Sequence, residues 1–167
     1  MPEPTVAFED NTIKVLDALD NACIAWLIEA SGELESQVKR NTKVGKIAGG
    51  KTKGRWTHEI DESTKEAVVG NTEETAIWLE FGTGEYALNG DGRKGGWYIP
   101  IGNGSGQISE EVVKAYHFPV KYGKNKMKYA YTTGMKPQRP FYKAFIDSKP
   151  KIEKIFQQKL KGLNNNP

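Results

Sequence analysis

The sequence predicts an α+β fold, with an antiparallel sheet packed by a long N-terminal helix and a C-terminal helix. Three observations carry that expectation. One apolar stripe at spacings of three and four runs through residues 11–40. Short β-rich segments separated by turn residues fill the middle of the chain. A second helical pattern closes it, with no alternation of strand and helix that would ask for a parallel sheet.

The first helix, 11–40, takes its stripe from Ile13, Leu16, Leu19, Cys23, Trp26, Leu27, Ala30 and Leu34. Asp10 or Asn11 is its expected cap. Gly32 is its weak point, costing about 1 kcal/mol relative to alanine, so a bend or an end is expected there. Residues 41–54 are rich in glycine and lysine and read as a mobile basic loop. Strands follow at 55–61 and 66–70, joined by turn residues 61–65. A third strand is expected over 75–81, with Ala76, Trp78 and Glu80 on one face and Ile77, Leu79 and Phe81 on the other.

Six glycines make 82–96 a loop. Residues 97–101 form a short strand that must sit at an edge or end at Pro100, because proline donates no ladder bond. Residues 102–106 read as flexible, and 115–120 is expected to pair with 127–133 as a hairpin. Pro137 and Pro140 bracket the entry to the last helix, 140–162. Its apolar side holds Phe141, Ala144, Phe145, Ile152, Ile155, Phe156 and Leu160, and Pro150 is expected to kink or split it. Residues 1–162 make one domain and 163–167 a frayed tail, with the sheet and its long loops spanning 55–134.

A chain of 167 residues with 37% hydrophobic content supports one modest core. No segment approaches the ~20 apolar residues of a membrane span, and the acidic start of the chain is not expected to be a signal peptide. Cys23 is the single cysteine, so no internal disulfide forms, and synthesis in a reducing cytoplasm is expected. The net charge of +3 hides alternating blocks. Residues 1–36 and 57–92 are acidic, at −7 and −8, whereas 37–56 and 93–167 are basic, at +7 and +11. Such blocks suit a subunit that meets its neighbours through complementary patches; solvated faces are the plainer alternative.

Several motifs invite chemistry. Gly45 to Thr52 matches the phosphate-loop pattern literally. That site needs a buried strand before it and a helix after it, and neither is expected here. Gly102 to Gly106 lacks the strand–helix setting of a dinucleotide fingerprint and reads as a linker. His58, His117 and Cys23 are far apart in sequence and fit no metal-ligand spacing, and Cys23 lies on an apolar stripe. No catalytic, metal or cofactor residue is assigned, and the chain is not expected to be an enzyme. Lys43, Lys46, Lys51 and Lys53 offer clustered cations for phosphates, so a basic-loop nucleic-acid-binding domain of a mobile element is the alternative reading.

The segment Ile77 to Tyr86, containing Glu80-Phe81-Gly82-Thr83-Gly84, resembles the tail-completion, or head–tail joining, family of long-tailed bacteriophages and prophages. The resemblance continues through Gly90 to Trp97, and returns at Thr132 to Phe141 with Thr133-Gly134, Pro137, Arg139, Pro140 and Phe141. All three blocks fall in that family's order across roughly residues 55–148. Two departures stand beside it: a loose Thr52 to Trp56 before the first strand, and a longer segment from Ile101 to Met127. The resemblance implies a structural virion protein of the neck or head-proximal tail end. It implies a homo-oligomeric ring, usually a hexamer in that family, meeting a head connector or stopper protein and a tail terminator or tail tube protein. DNA would pass through its bore without sequence recognition, and no membrane is involved. Read physically, Gly82 and Gly84 permit an abrupt turn, Thr83 can bond that turn, and Glu80 is expected to pair with a cation such as Arg139.

Overall fold

The structure, a computed structural model, describes residues 10–46 and 50–163. The expected tail beyond residue 163, and residues 47–49 of the basic loop, lie outside these. The fold is α+β. Helix α1 spans Thr12–Asn41 and runs unbroken past Gly32. Its cap differs slightly from expectation. Asn11 holds the cap position without a side-chain bond, while the Asp10 carboxylate accepts the Thr12 amide at 2.9 Å and the Thr12 hydroxyl at 2.6 Å.

Helix α5 spans Pro140–Leu163 and is continuous through Pro150, contrary to the expected split. Proline removes one backbone hydrogen bond. Contacts with α1 on both sides outweigh that loss: Ser148 is buried before the proline, and after it the Trp26 indole donates to the Ile152 carbonyl at 3.1 Å. Lys151 reaches Glu33 at 2.6 Å and Lys159 reaches Glu29, so α1 and α5 lie antiparallel. Small buried residues, Ala30 and Ser31 on α1 and Ala144 and Ser148 on α5, let the helices approach closely. Trp26 meets Phe156 edge-on at 5.1 Å.

Between them in sequence come a one-turn helix, α2 (Lys51–Gly54), and strands β1 (Trp56–Asp61) and β2 (Glu66–Asn71). The strands pair antiparallel from Trp56 opposite Asn71 to Asp61 opposite Glu66. This hairpin packs on α1. The core gathers Val38, Trp56, Ala76 and Ala144, with Leu34 and Phe141 against it. Trp56 stacks on Phe141 at 5.8 Å. Its indole donates to the Thr42 hydroxyl at 2.9 Å, which donates to the Val38 carbonyl at 2.8 Å. A buried aromatic thus fixes the C-terminal end of α1, with its own indole N–H and the Thr42 hydroxyl both bonded.

The remaining strands form a second sheet in the order β3 (Trp97–Pro100), β5 (Lys128–Thr132), β4 (Val120–Tyr122), all antiparallel. The expected sheet therefore divides in two. β3 lies at an edge, as Pro100 requires. Two strand assignments are corrected. Residues 75–81 form helix α3 (Thr75–Phe81), and Ala115 with Tyr116 closes helix α4 (Glu110–Tyr116) rather than opening a strand. Helix α4 starts on a Ser109 side chain that accepts the Val112 amide at 3.3 Å, with Glu110 and Glu111 in its positive first turn. His117 adopts a left-handed conformation, and the strand proper begins only at Val120.

Part of the predicted stripe of α1 stays uncovered. Ile13, Leu16 and Leu19 are exposed, and Cys23 is half-buried rather than buried. No described helix is long and apolar enough to cross a membrane.

Candidate functional site

Three separate stretches of the motif meet at one joint. The Thr83 amide donates to the Met135 carbonyl at 2.9 Å, and the Glu85 amide donates to the Thr133 carbonyl at 2.9 Å. The Thr83 hydroxyl accepts the Met135 amide at 2.9 Å. Gly82, Gly84 and Gly134 all have positive φ, at 74°, 61° and 112°. At Gly84 a Cβ would strike the Thr133 carbonyl and the Trp97 ring; at Gly134 it would strike the Thr83 carbonyl. Glycine is therefore needed twice over at these positions, for conformation and for space. Gly92 passes just as closely over the Gly84 carbonyl, and Trp97 closes the side of the joint. The motif residues are thus brought together, and their shared work is to hold main chain against main chain.

Glu80 stands at the exit of α3. Its carboxylate accepts the Phe141 amide at 2.8 Å and the Tyr142 amide at 3.0 Å. These are unpaired donors of the first turn of α5, where the helix dipole also favours an anion. The expected pairing with Arg139 is corrected: the Arg139 guanidinium lies over the Tyr142 ring at 3.6 Å. Backbone amides of the α5 N-terminus have taken its place on Glu80. The Gln138 and Arg139 amides both donate to the Leu79 carbonyl, at 2.8 and 3.2 Å. So the last turn of α3 lies against the start of α5, clamped by four hydrogen bonds from neighbouring amides. Pro140 opens α5 as its first helical residue.

Helix α3 turns an apolar face outward. Ile77, Trp78 and Phe81, at i, i+1 and i+4, are 61%, 43% and 44% exposed. Leu88 lies beside them, its amide donating to the Phe81 carbonyl at 2.9 Å, and is itself half exposed. On the neighbouring first turns of α5, Phe145 and Ile146 are also half exposed. Phe145 therefore does not join Phe141 in the core.

The basic loop is less free than expected. Lys51 reaches Glu73 at 3.0 Å from α2. The Lys46 amide donates to the Tyr116 hydroxyl at 2.9 Å, and its ammonium to the Ala115 carbonyl at 2.8 Å. Only Lys43 and Lys53 of the four lysines have no hydrogen-bond or ion-pair partner among the described residues. A helix precedes Gly45 and an antiparallel strand follows α2, so the strand–loop–helix frame of a phosphate loop is missing among the described residues. His58 bonds Glu35, whereas His117 lies on α4's far end and Cys23 on α1. Among the described residues no group of three metal-ligating side chains comes together. Glu35 also bonds Lys39, and that contact, with the His58 bond, holds its carboxyl below the usual range against the opposing effect of burial.

The open face of the second sheet was not singled out by sequence. Tyr98 lies 5.1 Å from Tyr131, and the Lys121 ammonium sits 5.3 Å from the Tyr98 ring centre. The Tyr98 hydroxyl beside it pushes the Lys121 pKa up. Period-two alternation would have placed Tyr129 and Tyr131 on one face, but pairing with Tyr98 depends on register.

No family model matches the chain, and no match was found among curated proteins or solved structures.

Proposed function

We propose that the protein is an assembly subunit of a bacteriophage virion, forming a ring at the neck or head-proximal tail end that completes the tail and joins it to the DNA-filled head. The observation that carries this reading is the outward apolar face of α3, where Ile77, Trp78 and Phe81 stand exposed beside Leu88. Contiguous large apolar side chains on a small domain mark a surface that is covered by a protein partner. The face is built directly on the joint formed by Gly82, Thr83, Gly84, Thr133 and Gly134, the residues that resemble the tail-completion family.

In this reading the partners are further copies of the chain, a head connector or stopper protein, and a tail terminator or tail tube protein. DNA passes through the bore without being read. The work is mechanical, with no catalytic step and no cofactor, and the protein is made in the bacterial cytoplasm before it enters the virion. A ring requires two different patches on each subunit. The engagement of Lys46 and Lys51 within the chain weakens the alternative of a dedicated basic DNA-binding loop.

Electron microscopy of a phage lysate lacking the protein tests the reading. Filled heads and separate tails that join when the purified protein is added support it. Intact virions in its absence overturn it. Adding back Trp78→Asp should leave heads and tails apart while the protein remains folded.

A further inference from the structure

We propose that the open face of the β3-β5-β4 sheet is the seat for the β1–β2 hairpin of a second copy of this chain. The inference rests on the ring reading above and names the two patches that meet. Strand register places Tyr98 opposite Tyr131 and Lys121 opposite Tyr129, so these four share one face. The other face carries Ile99 and the buried Ala130, turned toward the protein. A groove of about 370 Å³ opens on the tyrosine side, lined by Tyr98, Lys121, Tyr122, Gly123 and Tyr129. Between Arg93 and Lys136 the chain has eight basic residues and two acids, Glu110 and Glu111. Glu110 is taken by Lys128 at 2.8 Å. The groove is lined by tyrosines, which protein interfaces favour, and carries the Lys121 cation.

The occupant is argued from charge and shape. On the outer face of the hairpin Glu59 stands opposite Val68, and Asp61 opposite Glu66, all four exposed. Its one cation, Lys65, is engaged with Asp20 at 3.2 Å. The surface offered is therefore an exposed valine among carboxylates, which complements a tyrosine groove that carries Lys121, with Lys124 and Lys126 on the adjoining turn. The hairpin runs along α1, from the Lys65–Asp20 pair at its tip to the His58–Glu35 bond and the buried Trp56 at its base, with its acidic face turned outward. Contact between two unlike patches is head-to-tail, the kind that closes into rings. A nucleic-acid strand fits less well, because Lys121 lies over the Tyr98 ring where a base would stack.

Sedimentation velocity on the purified full chain, with two charge-reversed variants, tests the inference. One variant is Lys121→Glu with Lys126→Glu; the other is Glu59→Lys with Glu66→Lys. All four side chains are exposed, so both should fold, and far-UV circular dichroism checks that they do. The wild type should associate, more weakly as salt rises. Each variant alone should associate more than about tenfold more weakly. Mixed together, the variants should recover, because each reversed patch then faces its complement on the other. Wild-type association with both variants unchanged overturns the inference and leaves the ring reading standing. A wild type that stays monomeric at every concentration overturns it too, and the lysate experiment then judges the ring reading by itself. Capture of a labelled single-stranded oligonucleotide by a monomeric wild type, lost in the lysine variant, would replace the hairpin with a nucleic acid.

Discussion

The α1–α5 pair and the glycine joint hold together by different means. The helix pair is a side-chain structure: small residues let the axes approach, Trp26 meets Phe156, and Trp56 fills the space beside Phe141. The joint is chiefly a main-chain structure, in which the Thr83 and Glu85 amides donate to the Met135 and Thr133 carbonyls, the Thr83 hydroxyl accepts the Met135 amide, and glycines let the segments touch. Packing of the first kind responds to substitution by degrees. The second kind has no slack, since a single Cβ at Gly134 lands on the Thr83 carbonyl.

That contrast gives an ordered set of expectations. Gly134→Ala should have the largest effect, a loss of about 3 kcal/mol or more in urea denaturation, from combined strain and overlap. Leu34→Ala, which removes three carbons beside the core, should cost about 2 kcal/mol. If the alanine at Gly134 proves the milder of the two, the distinction between the regions fails. Glu80→Ala tests the link between them. It removes both side-chain acceptors from the start of α5 and should cost about 1–2 kcal/mol, with Glu80→Gln milder because one oxygen can still accept. Gly32→Ala should run the other way. A Cβ there meets nothing within 4 Å, and the helix should gain about 1 kcal/mol in thermal or urea unfolding.

The smallest effect concerns pH. The carboxyl of Glu35 titrates lower in the folded protein than in the unfolded chain, chiefly through Lys39. Its contribution is therefore fully present above the ordinary glutamate value of 4.5 and is lost as pH falls through the depressed folded value. Glu35→Gln should flatten the acid limb of a stability–pH curve and leave Gly134→Ala's deficit untouched.

The helix pair was legible in the sequence because its signals are long. The stripe from Leu19 to Leu34 and the run from Phe141 to Leu160 repeat their period over several turns. The joint was legible only as a pattern of residues, not as a shape. Thr75–Phe81 has seven residues, too few to separate a period of two from one of 3.6. Local signals do favour the helix: Glu73 and Glu74 precede it, and Gly82 follows with φ of 74° and its amide bonded to the Trp78 carbonyl. Glu80 meets a helix N-terminus in place of the expected cation, a partner that no pairwise reading of charged residues would show. Pro150 misled for the opposite reason. Its local cost is real, yet α1 lies along the helix on both sides of it.

The clamp between α3 and α5 has a mechanical consequence. Four amides from Gln138, Arg139, Phe141 and Tyr142 bond to Leu79 and Glu80, so the two helices have no hinge between them. They form one bent piece, about 10 Å on the α3 side and about 36 Å along α5, whose long side is seated on α1. Load placed on Ile77 or Trp78 therefore reaches the α1–α5 pair through a single carboxylate and one carbonyl.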